Sequence, residues 1–395
     1  MTEVINFMNS KKDIIYFDNA ATSWPKPSQV LEAITKFMNE IGANPGRSGY
    51  QLSIEAARII YEARESLAKL FNFNDPSRII FTLNATESIN LALKGLLKPN
   101  DHVITSSMEH NSVMRPLRQL EKHGIELSII PCSSEGYLDP DDLKRRIKPN
   151  TKMIILNHAS NVIGTILPIR EVGQIAKKHN IIFLVDAAQT AGAYSIDVNR
   201  DSIDLLAFTG HKSLYGPQGT GGLVIGPRIK EDEMIPLKQG GTGSRSEFEE
   251  QPDFLPDRFE SGTPNTVGIA GLLAGVRFVI EKGVDKIRQH EVKLTQKLIY
   301  GLKDFQKIHI YGSENIEERT STISFNIEGL SPSNVAFRLE KEFGILSRAG
   351  LQCAPSAHRT IGTFPDGTVR FSLSYFNNED QIEKAIEAIR HLIEK

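Results

Sequence analysis

The run Ile181-Ile182-Phe183-Leu184-Val185 stops at Asp186-Ala187-Ala188-Gln189, and the run Asp204-Leu205-Leu206-Ala207-Phe208-Thr209-Gly210 closes on His211-Lys212. Each is a short apolar run bounded by polar residues, the pattern of a strand buried on both faces. Together they deliver an acid and a lysine at two strand ends, 26 residues apart. In open α/β sheets ligands gather at the carboxyl ends of strands, so both groups are placed to face one crevice. Alone, the lysine would read as a surface charge and Asp186 as a helix N-cap. Their pairing, and what surrounds them, argues otherwise.

Outward from this pair, strand-like runs at 78–83, 102–106, 126–131, 152–157, 181–185, 204–208 and 221–226 alternate with helical stretches such as 139–147 and 168–179. That alternation predicts crossover connections and a mostly parallel sheet covered on both faces. It excludes an all-helical or sandwich architecture. Within the polar, glycine-rich stretch 239–265, Gly240 to Ser244 read as a mobile or ligand-facing loop. Beyond them come a helical region from Thr266 to about Phe305, strands near 320–326 and 368–374, and a terminal helix with Ile382, Ala385, Ile386 and Ile389 at helical spacing. The expected fold class is therefore α/β, with a large domain on a mostly parallel sheet (26–265) and a smaller α+β C-terminal domain (266–395).

A length of 395 residues accommodates a large core and two or three domains. Apolar and charged fractions of 40% and 24% are ordinary for a soluble protein, and a formal charge of −2 gives no electrostatic reason for a nucleic-acid or membrane partner. The start Met1-Thr2-Glu3-Val4 lacks a secretory pattern, and no apolar run approaches the length of a membrane span. The expected location is cytoplasmic. The two cysteines, Cys132 and Cys353, form no CxxC pair and cannot build a zinc site alone. Gly216-Pro217-Gln218-Gly219-Thr220-Gly221-Gly222 lacks the GK[ST] ending of a phosphate loop and precedes a strand rather than a helix.

A lysine able to form a Schiff base and an aspartate able to pair with a pyridinium nitrogen are what pyridoxal phosphate requires. Other residues suit the same ligand. His110 ends the strand-like 103–109 and offers a flat ring to stack on a pyridine. Asn84-Ala85-Thr86 opens a helix after the strand at 78–83, and a helix N-terminus with a hydroxyl is a natural phosphate cradle. Gln189, one turn past Asp186, can donate to the phenolic oxygen of the cofactor.

Asp186-Ala187-Ala188-Gln189 with Thr209-Gly210-His211-Lys212-Ser213-Leu214-Tyr215-Gly216-Pro217 resembles the class V aminotransferase group of fold-type I enzymes. Within it, the chain is similar to the cysteine desulfurases and selenocysteine lyases, from Tyr16-Phe17-Asp18-Asn19-Ala20-Ala21-Thr22 to Val369-Arg370-Phe371-Ser372. The resemblance implies Lys212 as the lysine that carries pyridoxal 5'-phosphate and moves the α-proton. It implies Asp186 on the ring nitrogen, His110 on the ring face, Gln189 on the ring oxygen, and Ala85, Thr86, Thr209 and His211 around the phosphate. Arg370 and Asn161 match residues at the substrate carboxylate, with Arg348 nearby. Thr263 matches a residue given to the neighbouring subunit's phosphate, which implies a homodimer with a shared active site. Residues 1–25 are expected to pack with the small domain.

Cys353 separates the reactions. In Ser347-Arg348-Ala349-Gly350-Leu351-Gln352-Cys353-Ala354-Pro355, the spacing Arg-x-Gly-x-x-Cys is similar to the desulfurases whose nucleophilic cysteine lies on a short loop. Cationic neighbours lower a thiol pKa. The reaction expected is conversion of L-cysteine to L-alanine, with a persulfide on Cys353 passed to a sulfur-acceptor protein. A selenocysteine lyase, or a transaminase or epimerase on the same scaffold, is the alternative. Two positions depart from the resembled pattern. Arg47-Ser48-Gly49-Tyr50 has tyrosine where family members often carry histidine, and His358 is extra, expected to tune Cys353 or shape a different pocket.

Overall fold

The computed structural model describes residues 14–46 and 49–394. Residues 1–13 of the expected N-terminal segment, and Arg47-Ser48 of the departing motif, lie outside the described residues. The strands in chain order are β1 (Ile15–Tyr16), β2 (Ile79–Thr82), β3 (His102–Ser106), β4 (Glu126–Ile130), β5 (Thr151–Asn157), β6 (Ile182–Asp186), β7 (Leu205–Thr209) and β8 (Gly221–Ile225), then β9 (Ile308–Tyr311), β10 (Thr322–Ile327), β11 (Ile345–Leu346), β12 (Arg348–Gly350) and β13 (Thr368–Ser372).

The seven strands predicted between residues 78 and 226 form one sheet in the order β2-β8-β7-β6-β5-β3-β4. Only β8 runs against its neighbours β2 and β7; the pairings among β7, β6, β5, β3 and β4 are parallel. Successive side chains point to opposite faces of a strand, and here both faces are buried. Ile154, Leu156, Phe183 and Val185 pack into one core, while Met153, Ile155 and Leu184 pack into the other. Burial on both faces explains the near-continuous apolar runs that made these strands legible. Parallel alignment also brings the ends of β3, β5, β6 and β7 to one edge, where Asn157 stands directly beside Asp186.

A smaller antiparallel sheet, β12-β13-β10-β9, has its own core, with Phe325, Phe371, Leu298 and Ile389 among its members. Ile15 and Phe17 pack in that core, and β1 pairs with β11 in parallel. Among the described residues no helix is long and apolar enough to cross a membrane.

One boundary moves. The seam expected at 265/266 falls one helix early, because the helix Thr266–Lys282 packs against the large domain. Its Leu272 and Val276 belong to the large-sheet core. The polar, glycine-rich composition of 239–265 resembles a linker, yet the chain returns to the same domain after it. A cluster of Tyr215, Phe278, Val279 and Ile287 then joins the two parts.

That helix approaches the loop after Lys212 closely. A Cβ added at Gly275 would meet the Leu214 carbonyl oxygen at 2.3 Å. Gly275→Ala gains about 1 kcal/mol in helix propensity. Forcing backbone apart in a packed interior costs about 1–3 kcal/mol or more, and here the obstacle is a main-chain atom that cannot rotate away. The steric term wins. Thermal unfolding of Gly275→Ala is expected to show a lowered midpoint; an unchanged or raised midpoint would contradict this packing.

Candidate active site

All the site residues expected from sequence except Thr263 line one cavity of about 330 Å3 at the ends of the large-sheet strands. Lys212 follows β7 by three residues and is half-buried in the cavity wall. Burial pulls its amine down from the ordinary lysine value to about 8, with Arg370 acting in the same sense and Asp186 and Asp18 opposing. Its backbone is pinned by a segment that sequence reasoning did not single out for this role. The His211 carbonyl accepts from Thr22 Oγ1 (3.0 Å), the Ser23 N–H (3.0 Å) and Lys26 Nζ (2.7 Å), and the Lys212 carbonyl accepts from Ser23 Oγ at 2.8 Å.

Asp186 ends β6. Its Oδ1 accepts the Ala188 N–H at 2.9 Å and its Oδ2 lies 3.4 Å from Ser112 Oγ. Burial pushes its carboxyl up, while the Ala188 N–H, Lys212 and Ser112 pull it down. His110 caps the helix Asn111–Glu121, its Nδ1 accepting the Ser112 N–H at 3.0 Å. Burial and then Lys212, Arg370, Arg115 and Arg348 lower its pKa to about 4. The ring is therefore neutral at pH 7, and with Nδ1 accepting, Nε2 carries the proton.

The cavity wall holds several buried polar atoms with no partner: Thr209 Oγ1, His211 Nδ1, Asn161 Oδ1 and Arg370 Nε. Such groups cost about 1–3 kcal/mol each when left unsatisfied, so their convergence marks a site for a polar ligand. Asn84 Oδ1 takes the Glu87 N–H at the start of the helix Ala85–Leu96. Ala85 and Thr86 line the cavity, and their N–H groups have no acceptor inside the helix.

Arg370, on β13 and buried, donates through one Nη to the Asn161 carbonyl (2.9 Å) and through the other to Asp18 Oδ1 (2.7 Å). Asp18 lay in a motif already quoted, but nothing in sequence spacing ties it to a residue 352 positions away. Arg348 pairs with Arg370 across β12 and β13.

Cys353 is exposed, its thiol is free, and its backbone φ is 60°; Gln352 before it has φ 40°. Left-handed backbone at a non-glycine residue costs about 1–3 kcal/mol and persists only where surroundings enforce it. Three contacts do so. Asn161 Nδ2 donates to the Gln352 carbonyl (2.7 Å), Gln352 Nε2 donates to the Thr368 carbonyl (2.9 Å), and Asn111 N–H donates to the Cys353 carbonyl (2.9 Å). His358 completes the brace, and this settles where that extra histidine goes. It is buried outside the cavity lining, with Nε2 2.7 Å from Gln352 Oε1 and Nδ1 2.7 Å from Thr363 Oγ1. Since Oε1 only accepts, Nε2 carries the proton. Burial, with Arg370 acting in the same sense, keeps the ring neutral by lowering its pKa to about 4.

The model of the aminotransferase class-V family matches residues 15–385. The chain belongs to the class-V aminotransferase family. A probable cysteine desulfurase of Pyrococcus abyssi is 36% identical over 97% of this chain and 95% of that protein. A cysteine desulfurase IscS of Dictyoglomus turgidum is 32% identical over 96% of this chain and 95% of its own length. Among solved structures, the apo cysteine desulfurase of Thermococcus onnurineus NA1 is similar with a TM-score of 0.91 and 34% identity, covering 97% and 95% of the two chains. The architecture is the fold-type I fold of this family.

Thr263 stands apart from the cavity that holds Lys212. It lines a smaller cavity of about 100 Å3 with Glu87 and Lys238. Cys132 is half-buried, and burial pushes its thiol up to about 11, in keeping with a packing role.

The brace has a direct test. His358→Ala removes the partner of both Gln352 Oε1 and Thr363 Oγ1 and lets the two left-handed residues relax. Hydrogen exchange at the Ala354 amide, which bonds the Leu351 carbonyl at 2.8 Å, is expected to quicken by about tenfold or more, corresponding to about 1.4 kcal/mol of lost local stability. Unaltered exchange there would contradict the brace.

Proposed function

We propose that the chain is a pyridoxal-phosphate-dependent cysteine desulfurase that converts L-cysteine to L-alanine and carries the sulfur on Cys353. The observation that carries this reading is one cavity lined by a half-buried lysine, a buried aspartate and an exposed cysteine. The names of the relatives and of the similar solved structures support it.

The residues present fit the cofactor. The unpartnered Thr209 Oγ1 and His211 Nδ1, with the free N–H groups at Ala85 and Thr86, suit a phosphate at a helix N-terminus. Asp186 suits the ring nitrogen, the neutral His110 ring suits the ring face, and Gln189 suits the ring oxygen. When bound, pyridoxal phosphate supplies an aldehyde for amines and a ring that accepts the electron pair released at the substrate α-carbon.

The chain's own groups do the rest. Arg370, with Nε unpaired, and Asn161 hold the substrate carboxylate, and Arg348 adds positive charge at the mouth of the cavity. Lys212, with its lowered pKa, takes the α-proton and returns a proton at the neighbouring carbon. The Cys353 thiolate attacks the substrate sulfur and the Cβ–S bond breaks. Its electron pair stays on carbon, which is protonated to give L-alanine, and the sulfur remains on Cys353 as a persulfide.

We take the active unit to be a homodimer in which Thr263 reaches the partner's phosphate. Leu31, Met38 and Ile235 are 68%, 64% and 62% exposed, apolar surface of the kind that a second copy covers. The small domain is taken as 283–394 with the N-terminal strand. Two free thiols suit a reducing, cytoplasmic setting.

With L-cysteine and a thiol reductant, the purified holoenzyme is expected to release sulfide and alanine in equal amounts. Cys353→Ala should lose this activity to background while keeping the absorbance of bound cofactor. Lys212→Ala should lose both, with turnover down about 10²–10⁴-fold. Keto acid in place of alanine, or a fully active Cys353→Ala, would sink the reading.

The lysine also sets a pH dependence. A lowered pKa enlarges the free-amine fraction at any given pH, so cofactor uptake by the apo form should rise with pH through a midpoint near 8. Stopped-flow absorbance measures this, and a midpoint near the ordinary lysine value would contradict it.

A further inference from the structure

Beside the Cys353 loop lies a second cavity, of about 350 Å3, between the helix Asn111–Glu121 and the short helix Pro355–Thr360. Its walls carry four exposed cations, Arg115, Arg118, Lys122 and Arg359, and no carboxylate. None of the four lines the catalytic cavity. The whole chain has a net charge of −2, so the concentration of positive charge is local.

Arg115, Arg118 and Lys122 stand at i, i+3 and i+7, one stripe of one helix face. Like charges at these spacings destabilise a helix, so helix stability does not account for the stripe. Among the described residues, Arg118 is the only ion-paired member of the four, with Glu121 at 2.7 Å. Arg359 is held over the Phe364 ring at 4.2 Å, which fixes its guanidinium at the rim. Two links tie the groove to the reactive thiol. Asn111, on one wall, donates its backbone N–H to the Cys353 carbonyl at 2.9 Å. Pro355 and Ser356, on the other wall, follow Cys353 by two and three residues.

We propose that this groove docks an acidic segment of the protein that takes sulfur from Cys353. The inference rests on the reading of Cys353 as the persulfide carrier. The stripe from Arg115 to Lys122 spans about 10 Å, longer than a single phosphate or carboxylate and matched to several carboxylates along one chain. Charge complementarity at a groove steers encounter and fixes orientation. Docking there brings the acceptor's thiolate to the outer sulfur of the Cys353 persulfide. A new S–S bond forms on the acceptor, the old S–S bond breaks, and Cys353 leaves as a thiolate. The sulfane sulfur moves between two thiols, and no outside oxidant or reductant is required.

The test uses two synthetic decapeptides, each with one central cysteine, flanked by glutamates in one and glutamines in the other. Persulfidated holoenzyme, prepared with L-cysteine and freed of excess substrate, is mixed with each, and sulfur gained by the peptide is followed by mass spectrometry. The glutamate peptide is expected to react about tenfold faster or more, the advantage fading as salt rises. The variant Arg118→Ala/Lys122→Ala/Arg359→Ala should lose that advantage while releasing sulfide to dithiothreitol at the native rate. Equal rates for both peptides, or a variant that keeps the preference, would overturn the groove. A serine-for-cysteine glutamate peptide, labelled and followed by fluorescence anisotropy, reads docking without chemistry. Binding to the native protein and at least about tenfold weaker binding to the variant supports the groove even where no persulfide forms, an outcome that would count against the desulfurase reading alone. Equal binding overturns it.

Discussion

The desolvated amine of Lys212 is the constraint on which the site depends. A cation taken out of water carries a penalty of several kcal/mol. The protein meets it by lowering the lysine's pKa to about 8 and by placing Asp186 and Asp18 where they oppose that fall. The position of the amine is set by the peptide that bears it. Donors from Thr22, Ser23 and Lys26 converge on the His211 and Lys212 carbonyls, and the glycine face of the helix Thr266–Lys282 presses on the loop that follows. The N-terminal turn and the last helix of the large domain thus hold the reactive lysine from two sides.

Much of this was legible in the sequence, and the reason is physical. Strands of a parallel sheet are buried on both faces, so they read as unbroken apolar runs, and their polar ends mark the edge where ligands bind. Asp186 and Lys212 were singled out by that rule as a pair, while Thr209 was named only through the family resemblance. The helix after Asn265 was read with the small domain because the polar, glycine-rich composition before it resembles a linker, whereas the packing of Leu272 and Val276 on the large-sheet core leaves no trace in composition. Asp18 and Gln352 were missed as site residues for a related reason. Each acts through a partner distant in sequence or through a backbone carbonyl, Asp18 on Arg370 and Gln352 on Thr368, and such pairings leave no periodic or spaced signature.

The cysteine loop shows how the two domains cooperate. Asn161, after β5 of the large sheet, reaches the Gln352 carbonyl and also accepts Arg370 at its own carbonyl. His358 and Thr368, both from the C-terminal part, fix the Gln352 side chain. The loop bearing Cys353 is therefore shaped by contacts from both parts of the chain, with the thiol left exposed. Lys212 and Cys353 are addressed to the same cavity by different elements, one just past a strand end and one on a turn with left-handed backbone. The cationic groove shares the residues that follow that turn, Pro355 and Ser356, and so lies next to it in the chain.

The central claim is that Cys353 takes sulfur directly from the substrate. One turnover of the holoenzyme with L-cysteine in the absence of reductant, followed by proteolysis and mass spectrometry, tests it most directly. The account predicts the added mass of one sulfur atom on the peptide containing Cys353 and none on the peptide containing Cys132. Sulfur on Cys132, or alanine formed while neither peptide changes mass, would contradict it.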